Sequence, residues 1–184
     1  MANQPRAAKI LVSLVAAMTA GAAVLMTLDH QSISAGAFSL ASYSSLGSIG
    51  DVIAAKEPAK DNRWTKIEIF YSNTKGGDIK QLASLNGLTN ADDLNFHFLV
   101  RNGLGVGAVD GQIQSTEKWL NQWSALPGGV WYGSTSTIRV CIIGEANKTT
   151  SDYQISRTEE LIDALSRRFN IARTSITYPQ DWRL

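Results

Sequence analysis

Few side chains in this sequence could do acid–base or metal chemistry. There are two histidines, His30 and His97, and a single cysteine, Cys141. A catalytic zinc needs three protein ligands and an open position for the water it activates. Cys141 stands in the middle of "STIRVCIIGE", where a free cysteine behaves as a small buried hydrophobe. Glu68 and Asp181 offer oxygen, but without a nitrogen partner they make a poor zinc site. The stretch most like a site is "IEIFYSNTKGG", residues 67–77. It reads as a strand that ends in a polar, glycine-rich loop, and strand ends aim side chains into mouths formed by loops. The residues at this mouth, Phe70 and Tyr71, are poor acids, bases and ligands at neutral pH. A second aromatic pair, Trp131-Tyr132, sits in a loop between Gly128-Gly129 and Gly133. It could stack on a sugar or a partner protein, or simply plug a hole.

The elements that position these residues follow from periodicity. Ile67 and Ile69 alternate as in a half-buried strand, which Gly76-Gly77 stops. Asp78 to Leu85 reads as a short helix with Asp78 in its first turn, where negative charge is favoured. "LNFHFLVRNGLG" reads as a second strand with Phe96, Phe98 and Val100 on one face, and His97 pointing away as a structural histidine. "STEKWLNQW" gives a helical turn or two, with Trp119 and Trp123 four apart on a core-packing face. "STIRVCIIGE", nearly all apolar in its middle, is expected to be a central strand covered on both sides. Residues 151–169 read as the clearest helix. Ser151 and Gln154 form a capping-box pattern, Leu161, Leu165 and Phe169 share a stripe, and the helix ends before Asn170. "SITY" is a last short strand before Pro179. This alternation predicts an α/β domain with a central mixed sheet flanked by helices.

The chain of 184 residues is 44% apolar with a net charge of +1, which suits one globular domain plus extra segments. No basic excess exists to neutralise phosphates, which argues against an electrostatic nucleic-acid binder. One cysteine also excludes an internal disulfide. Residues 10–28, "ILVSLVAAMTAGAAVLMTL", carry no charge, and Arg6 and Lys9 precede them. A helix of this length spans roughly 28 Å, close to a bilayer core. The positive charge before it predicts a single-pass anchor with a cytoplasmic N-terminus, residues 1–9. The rival reading is a signal peptide cleaved at Ala35-Gly36-Ala37. Ser13, Ala17 and Gly21 form a small-xxx-small face that could pair two such helices. Residues 29–62, rich in Ser, Ala and Gly, read as a tether. It contains one apolar patch able to pack on the membrane or on the domain, and the folded part is expected over 63–184.

The order of pieces resembles the zinc-dependent N-acetylmuramoyl-L-alanine amidase family, which shares its fold with the peptidoglycan recognition proteins. The resemblance rests on "RWTKIEIFYS", "FHFLVRNGLGVGAVDGQI", "KWLNQW", "IRVCIIGE" and the last helix followed by "SITYPQD", and it covers roughly residues 63 to 182. It implies a zinc held by two histidines and a third ligand. The matching positions here are Phe70, Pro127 and Pro179, none able to ligate zinc. The tyrosine that assists catalysis in many members corresponds to Phe96, which lacks the hydroxyl. The family's usual closing Lys-x-Cys-Pro-Gly segment is missing as well. The resemblance therefore implies a pseudoenzyme without zinc, its groove lined by Tyr71, Asn73, Phe96, Trp131 and Tyr132. It would sit on the periplasmic or extracellular side of a bacterial cytoplasmic membrane and bind peptidoglycan, a muropeptide or an envelope protein. Two other readings remain: an active amidase with unconventional ligands, and an accessory subunit, homodimeric or within a larger membrane complex. A binding domain should keep an open groove, whereas a subunit should show it filled or covered.

Overall fold

The computed structural model describes Thr19 and residues 46–105, 107–126, 135–145 and 150–182. The chain divides into two units, Met1–Ser39 and Leu40–Leu184. Of the first, only Thr19 is described, helical and exposed, so the anchor reading for 10–28 otherwise lies outside the described residues. Among the described residues no helix is long and apolar enough to cross a membrane.

The second unit is built on five strands: β1 Lys66–Tyr71, β2 Phe98–Asn102, β3 Asp110–Ser115, β4 Thr137–Ile142 and β5 Ile176–Thr177. They lie in the order β3-β2-β4-β1-β5. β4 runs parallel to both β1 and β2, β5 runs parallel to β1, and β3 pairs antiparallel with β2. The apolar strand around Cys141 is thus the central one, as its nearly all-apolar middle predicts. Among the described residues, four α-helices accompany the sheet: α1 Ile49–Val52, α2 Ile79–Leu85, α3 Glu117–Leu120 and α4 Asp152–Phe169.

Side chains alternate across the pleat, and each face buries its own core. On one face Ile67, Ile69, Val140 and Ile142 pack under Leu161, Ile162 and Leu165 of α4, with Trp64 and Trp119. On the other, Leu99, Cys141 and Ile143 meet Leu82 and Ala83 of α2 together with Leu94 and Phe96. Gly111 lets β3 approach α4 closely: its φ is +71°, and a Cβ there would fall 2.8 Å from Tyr153 and Arg157.

Several local readings change in the structure. Asp78 is the N-cap of α2, not a first-turn residue; it accepts from the Gln81 amide while Gln81 bonds back to the cap. Ser151 caps α4, but the expected box is only half formed, because the Gln154 side chain turns into the domain. Its Nε2 donates to the Val100 carbonyl at 2.9 Å and the Ile143 carbonyl at 2.8 Å. Two backbone acceptors at the end of adjacent strands outcompete one exposed cap amide. Trp123 does not share a helical face with Trp119, since α3 ends at Leu120; Trp119 is fully buried and Trp123 is 48% exposed.

Phe96 likewise leaves the expected face. It packs with Leu99 and Cys141, whereas Phe98 and Val100 belong to the opposite core. The cause is His97, whose Nδ1 accepts the Arg139 amide at 2.9 Å. The His97 amide in turn donates to the Arg139 carbonyl at 2.8 Å. An imidazole thus stands in a backbone carbonyl's place in the ladder and breaks the pleat just before β2.

Residues 46–62, the described end of the tether reading, pack on the domain. Leu46 is buried, and Ile49, Val52, Ile53 and Ala59 lie against the α4-side core. Apolar residues at 49, 52 and 53 share one face of a single turn, and Ser48 caps it by accepting the Asp51 amide. Arg168 donates to the Ile53 carbonyl at 2.6 Å, and the Lys56 amide donates to the Leu120 carbonyl at 2.9 Å. The folded part therefore includes Leu46 onward.

Candidate functional site

The end of β1 opens into a cavity of about 350 Å³ on the α2 face of the sheet. Phe70, Leu82, Leu94 and Phe96 give it apolar walls, and Cys141 of β4 lies beside Phe70. Asn86, Asp93 and Asn95 add the polar part of the lining. The Phe70 and Phe96 ring centroids are 6.4 Å apart. The walls arise from register: Phe70 stands opposite Cys141, and both project to the face that α2 covers only in part.

Beneath this cavity lies an ionic contact. Glu68 stands opposite Arg139, two residues before the Phe70–Cys141 pair. Arg139 Nε donates to the Glu68 carboxylate at 2.8 Å, and its Nη1 donates to the Asn95 carbonyl at 2.7 Å. The guanidinium also lies 4.5 Å from the centre of the Phe70 ring, within cation–π range. Arg139 thereby ties Phe70 to the chain that leads into Phe96. Sequence reading passed over it, although a single charge inside the most apolar strand signals a buried partner.

The predicted site residues are only partly brought together. Phe70 and Phe96 face one another across the cavity, and Tyr71 borders it. The Tyr71 ring, however, packs toward Trp182 on the other face, at 6.5 Å between centroids. Asn73 is exposed in a left-handed turn (φ 56°), with its amide donating to the Gly144 carbonyl, and it does not line the cavity. Pro179 is also absent from the lining; its carbonyl accepts the Trp182 amide in the C-terminal turn. Pro127, Trp131 and Tyr132 lie outside the described residues.

The donor set near Phe70 does not fit a zinc ion. Phe70 has no lone pair to give, and Cys141 is a lone buried thiol packed among Leu82, Leu99 and Phe96. A zinc site needs at least three donors. His97 is on the opposite side, fully buried, with both ring nitrogens committed: Nδ1 accepts from Arg139 and Nε2 donates to the Trp123 carbonyl at 2.9 Å. Among the described residues no group of three or more His, Cys, Asp or Glu could hold a metal ion.

These features define an α/β domain whose first parallel strand ends in an aromatic cavity rather than a ligand cluster. No protein-family model and no curated protein matches the chain. Among solved structures it is similar to the endolysin N-acetylmuramoyl-L-alanine amidase LysCS from Clostridium intestinale, at 17% identity and a TM-score of 0.44 over 71% of this chain and 78% of that one. It is also similar to the amidase LysC from the same organism, at 15% identity, TM-score 0.42, over 71% and 80% of the two chains. A third similar structure is a protein titled PGRP-Hd from Alvinella pompejana, at 14% identity, TM-score 0.42, over 70% and 83%. At this level of superposition the likeness assigns no activity.

Proposed function

We propose that the domain is an amidase-like pseudoenzyme that binds a peptidoglycan fragment without cleaving it. Residues 10–28 would hold it at the outer side of a bacterial cytoplasmic membrane. The observation that carries the reading is the cavity at the end of β1, walled by Phe70 and Phe96. It is an open space of ligand size at the strand end where the family resemblance places a zinc ligand. Apolar walls with a few convergent polar groups are the usual make-up of a small-ligand site. Hydrolysis would need a polarising group at the scissile carbonyl, and neither phenyl ring supplies one. The order of sequence pieces supports the choice of peptidoglycan, and the open cavity favours binding over a purely structural subunit.

The test is titration of the full chain, in detergent or nanodiscs, with purified muropeptides. Saturable binding with no released stem peptide, on protein holding far less than one zinc per chain by elemental analysis, is the expected result. Peptide release would show an active amidase. Absence of any binding would leave an envelope protein as the partner and sink the carbohydrate-peptide reading. Added protease should digest the domain in intact spheroplasts; protection would remove the proposed topology.

A further inference from the structure

We infer that Leu85 of α2 and Leu104 of the β2–β3 hairpin form a surface that rests on the lipid bilayer. The inference rests on the anchor proposed above for residues 10–28 and adds which face of the domain meets the lipid. Leu85 is 68% exposed and Leu104 51%. Single exposed leucines are ordinary, but these two line one shallow groove of about 490 Å³ together with Gly76, Gly77 and Gly105.

The backbone around Leu104 is fixed, and its side chain is nonetheless turned outward. Asn102 Nδ2 donates to the Lys75 carbonyl at 2.8 Å, and Asn102 Oδ1 accepts the Leu104 amide at 3.2 Å. The hairpin lies directly on the loop after β1, because a Cβ on Gly76 would fall 2.8 Å from the Leu104 carbonyl oxygen. Residues 103–109 read Gly-Leu-Gly-Val-Gly-Ala-Val, without the Asn, Asp or Ser that usually furnish a turn.

The place where the chain enters the domain points to lipid as the occupant. The Gly47 carbonyl accepts from Arg157 Nη2 at 3.3 Å, and Arg157 lies against Gly111, next to Asp110. A Cβ on Gly103 would fall 3.1 Å from Asp110, so the chain arrives beside the base of the hairpin that carries Leu104. From Leu28 to Leu46 it reaches at most roughly 65 Å in any conformation. A bilayer held that close is met at high effective concentration, so a contact too weak to recruit a free protein becomes effective. Two leucines among glycines fall well short of the roughly 800 Å² per partner that a stable protein interface buries, which argues against a second copy. Charge decides little: Lys75 and Lys80 are offset by Asp78, Asp110 and Glu145, and Lys148 lies outside the described residues. The contact therefore draws on apolar insertion and works on zwitterionic lipid.

The test reconstitutes the full chain, one copy per nanodisc, in phosphatidylcholine of which a fraction carries a nitroxide near the headgroup. A fluorophore is attached through Ser84→Cys, beside Leu85, or through Lys60→Cys, before the start of β1; both positions are exposed, and Cys141 is buried. Nitroxide lipid should quench the label at 84 several times more than the label at 60. Leu85→Ser combined with Leu104→Ser should bring position 84 down to the level of position 60 and leave the melting temperature nearly unchanged, because both side chains are already solvated. Equal quenching at the two positions, a preference that survives the double substitution, or one that requires anionic lipid would overturn the inference. So would a label at 84 that is shielded only when two copies share a disc, which would make the occupant a second copy. Washing the chain in vesicles with alkaline carbonate separates the two proposals. A chain that is retained while its labels quench equally leaves the anchor standing and sinks the lipid-facing surface; a chain that washes off sinks the anchor, and the inference with it.

Discussion

At the scale of single residues, His97 and Arg139 do work that their types alone would not reveal. His97 is held neutral, its pKa pushed down to about 3 chiefly by burial. In the unfolded chain it returns to about 6.5. Between these values the unfolded chain binds a proton that the folded one refuses, so this residue makes stability fall as pH drops from about 6.5 toward 3. The steepest slope is about 1.4 kcal/mol per pH unit. Urea unfolding at several pH values should show this slope, and His97→Gln should flatten it even though the variant is less stable throughout. Arg139 gives a second test. Glu68→Gln leaves a guanidinium of 7% side-chain exposure with no carboxylate. We expect a loss of about 2 kcal/mol, below the ~3–5 kcal/mol of fully buried pairs because Glu68 is partly solvated. Glu68→Leu combined with Arg139→Met should recover much of that loss, as measured by the same unfolding curves. The sequence showed His97 to be structural because it neighbours Phe96 in an apolar run. It could not show that the ring replaces a backbone acceptor, since that depends on β4 arriving alongside from 42 positions away.

At the scale of elements, the clearest departures occur where a tertiary partner outbid a local one. The Ser151–Gln154 pattern predicted α4 and its start correctly, yet Gln154 bonds to the ends of β2 and β4 instead of the cap. Ser151→Ala removes the cap bond to the Gln154 amide and the 2.6 Å bond to Asp110 and should cost about 1–2 kcal/mol. Gln154→Ala takes the side-chain donor from the Ile143 carbonyl, while the Val100 carbonyl keeps the Ile143 amide, a loss of about 1–3 kcal/mol. Both variants should lower the midpoint in urea; an unchanged midpoint for Gln154→Ala would mean that water enters to replace the amide. Strands were legible because period-two alternation and the apolar run of β4 are written locally. The face chosen by Phe96 was not, because the break in the pleat is made by a side chain. The cavity was legible at Phe70 and at Phe96, but Asp93 and Asn95 reach it through a turn with no periodicity to read. Asn73, read as a groove residue, stands exposed in a left-handed turn and does not line this cavity.

On the scale of the whole molecule, composition drew the domain boundary too late. Ser, Ala and Gly around residues 29–62 suggested a tether, but the few apolar residues at 46, 49, 52 and 53 are enough to seat a turn on the α4-side core. A chain starting at residue 63 should consequently melt several degrees below one starting at residue 46, and scanning calorimetry on the two would decide it. Equal melting temperatures would return the segment to the status of a linker. The strand order β3-β2-β4-β1-β5 carries a consequence for how the domain comes into being. β1 and β2 never touch each other as neighbours in the sheet; β4 is the wedge between them, and it begins only at Thr137. Until that strand leaves the ribosome, β1 has no permanent mate and β2 can pair only with β3. Non-local pairing of this kind makes folding slow. The nascent chain therefore passes through a long interval in which it can be held, handed over or threaded with only the β2–β3 hairpin to resist.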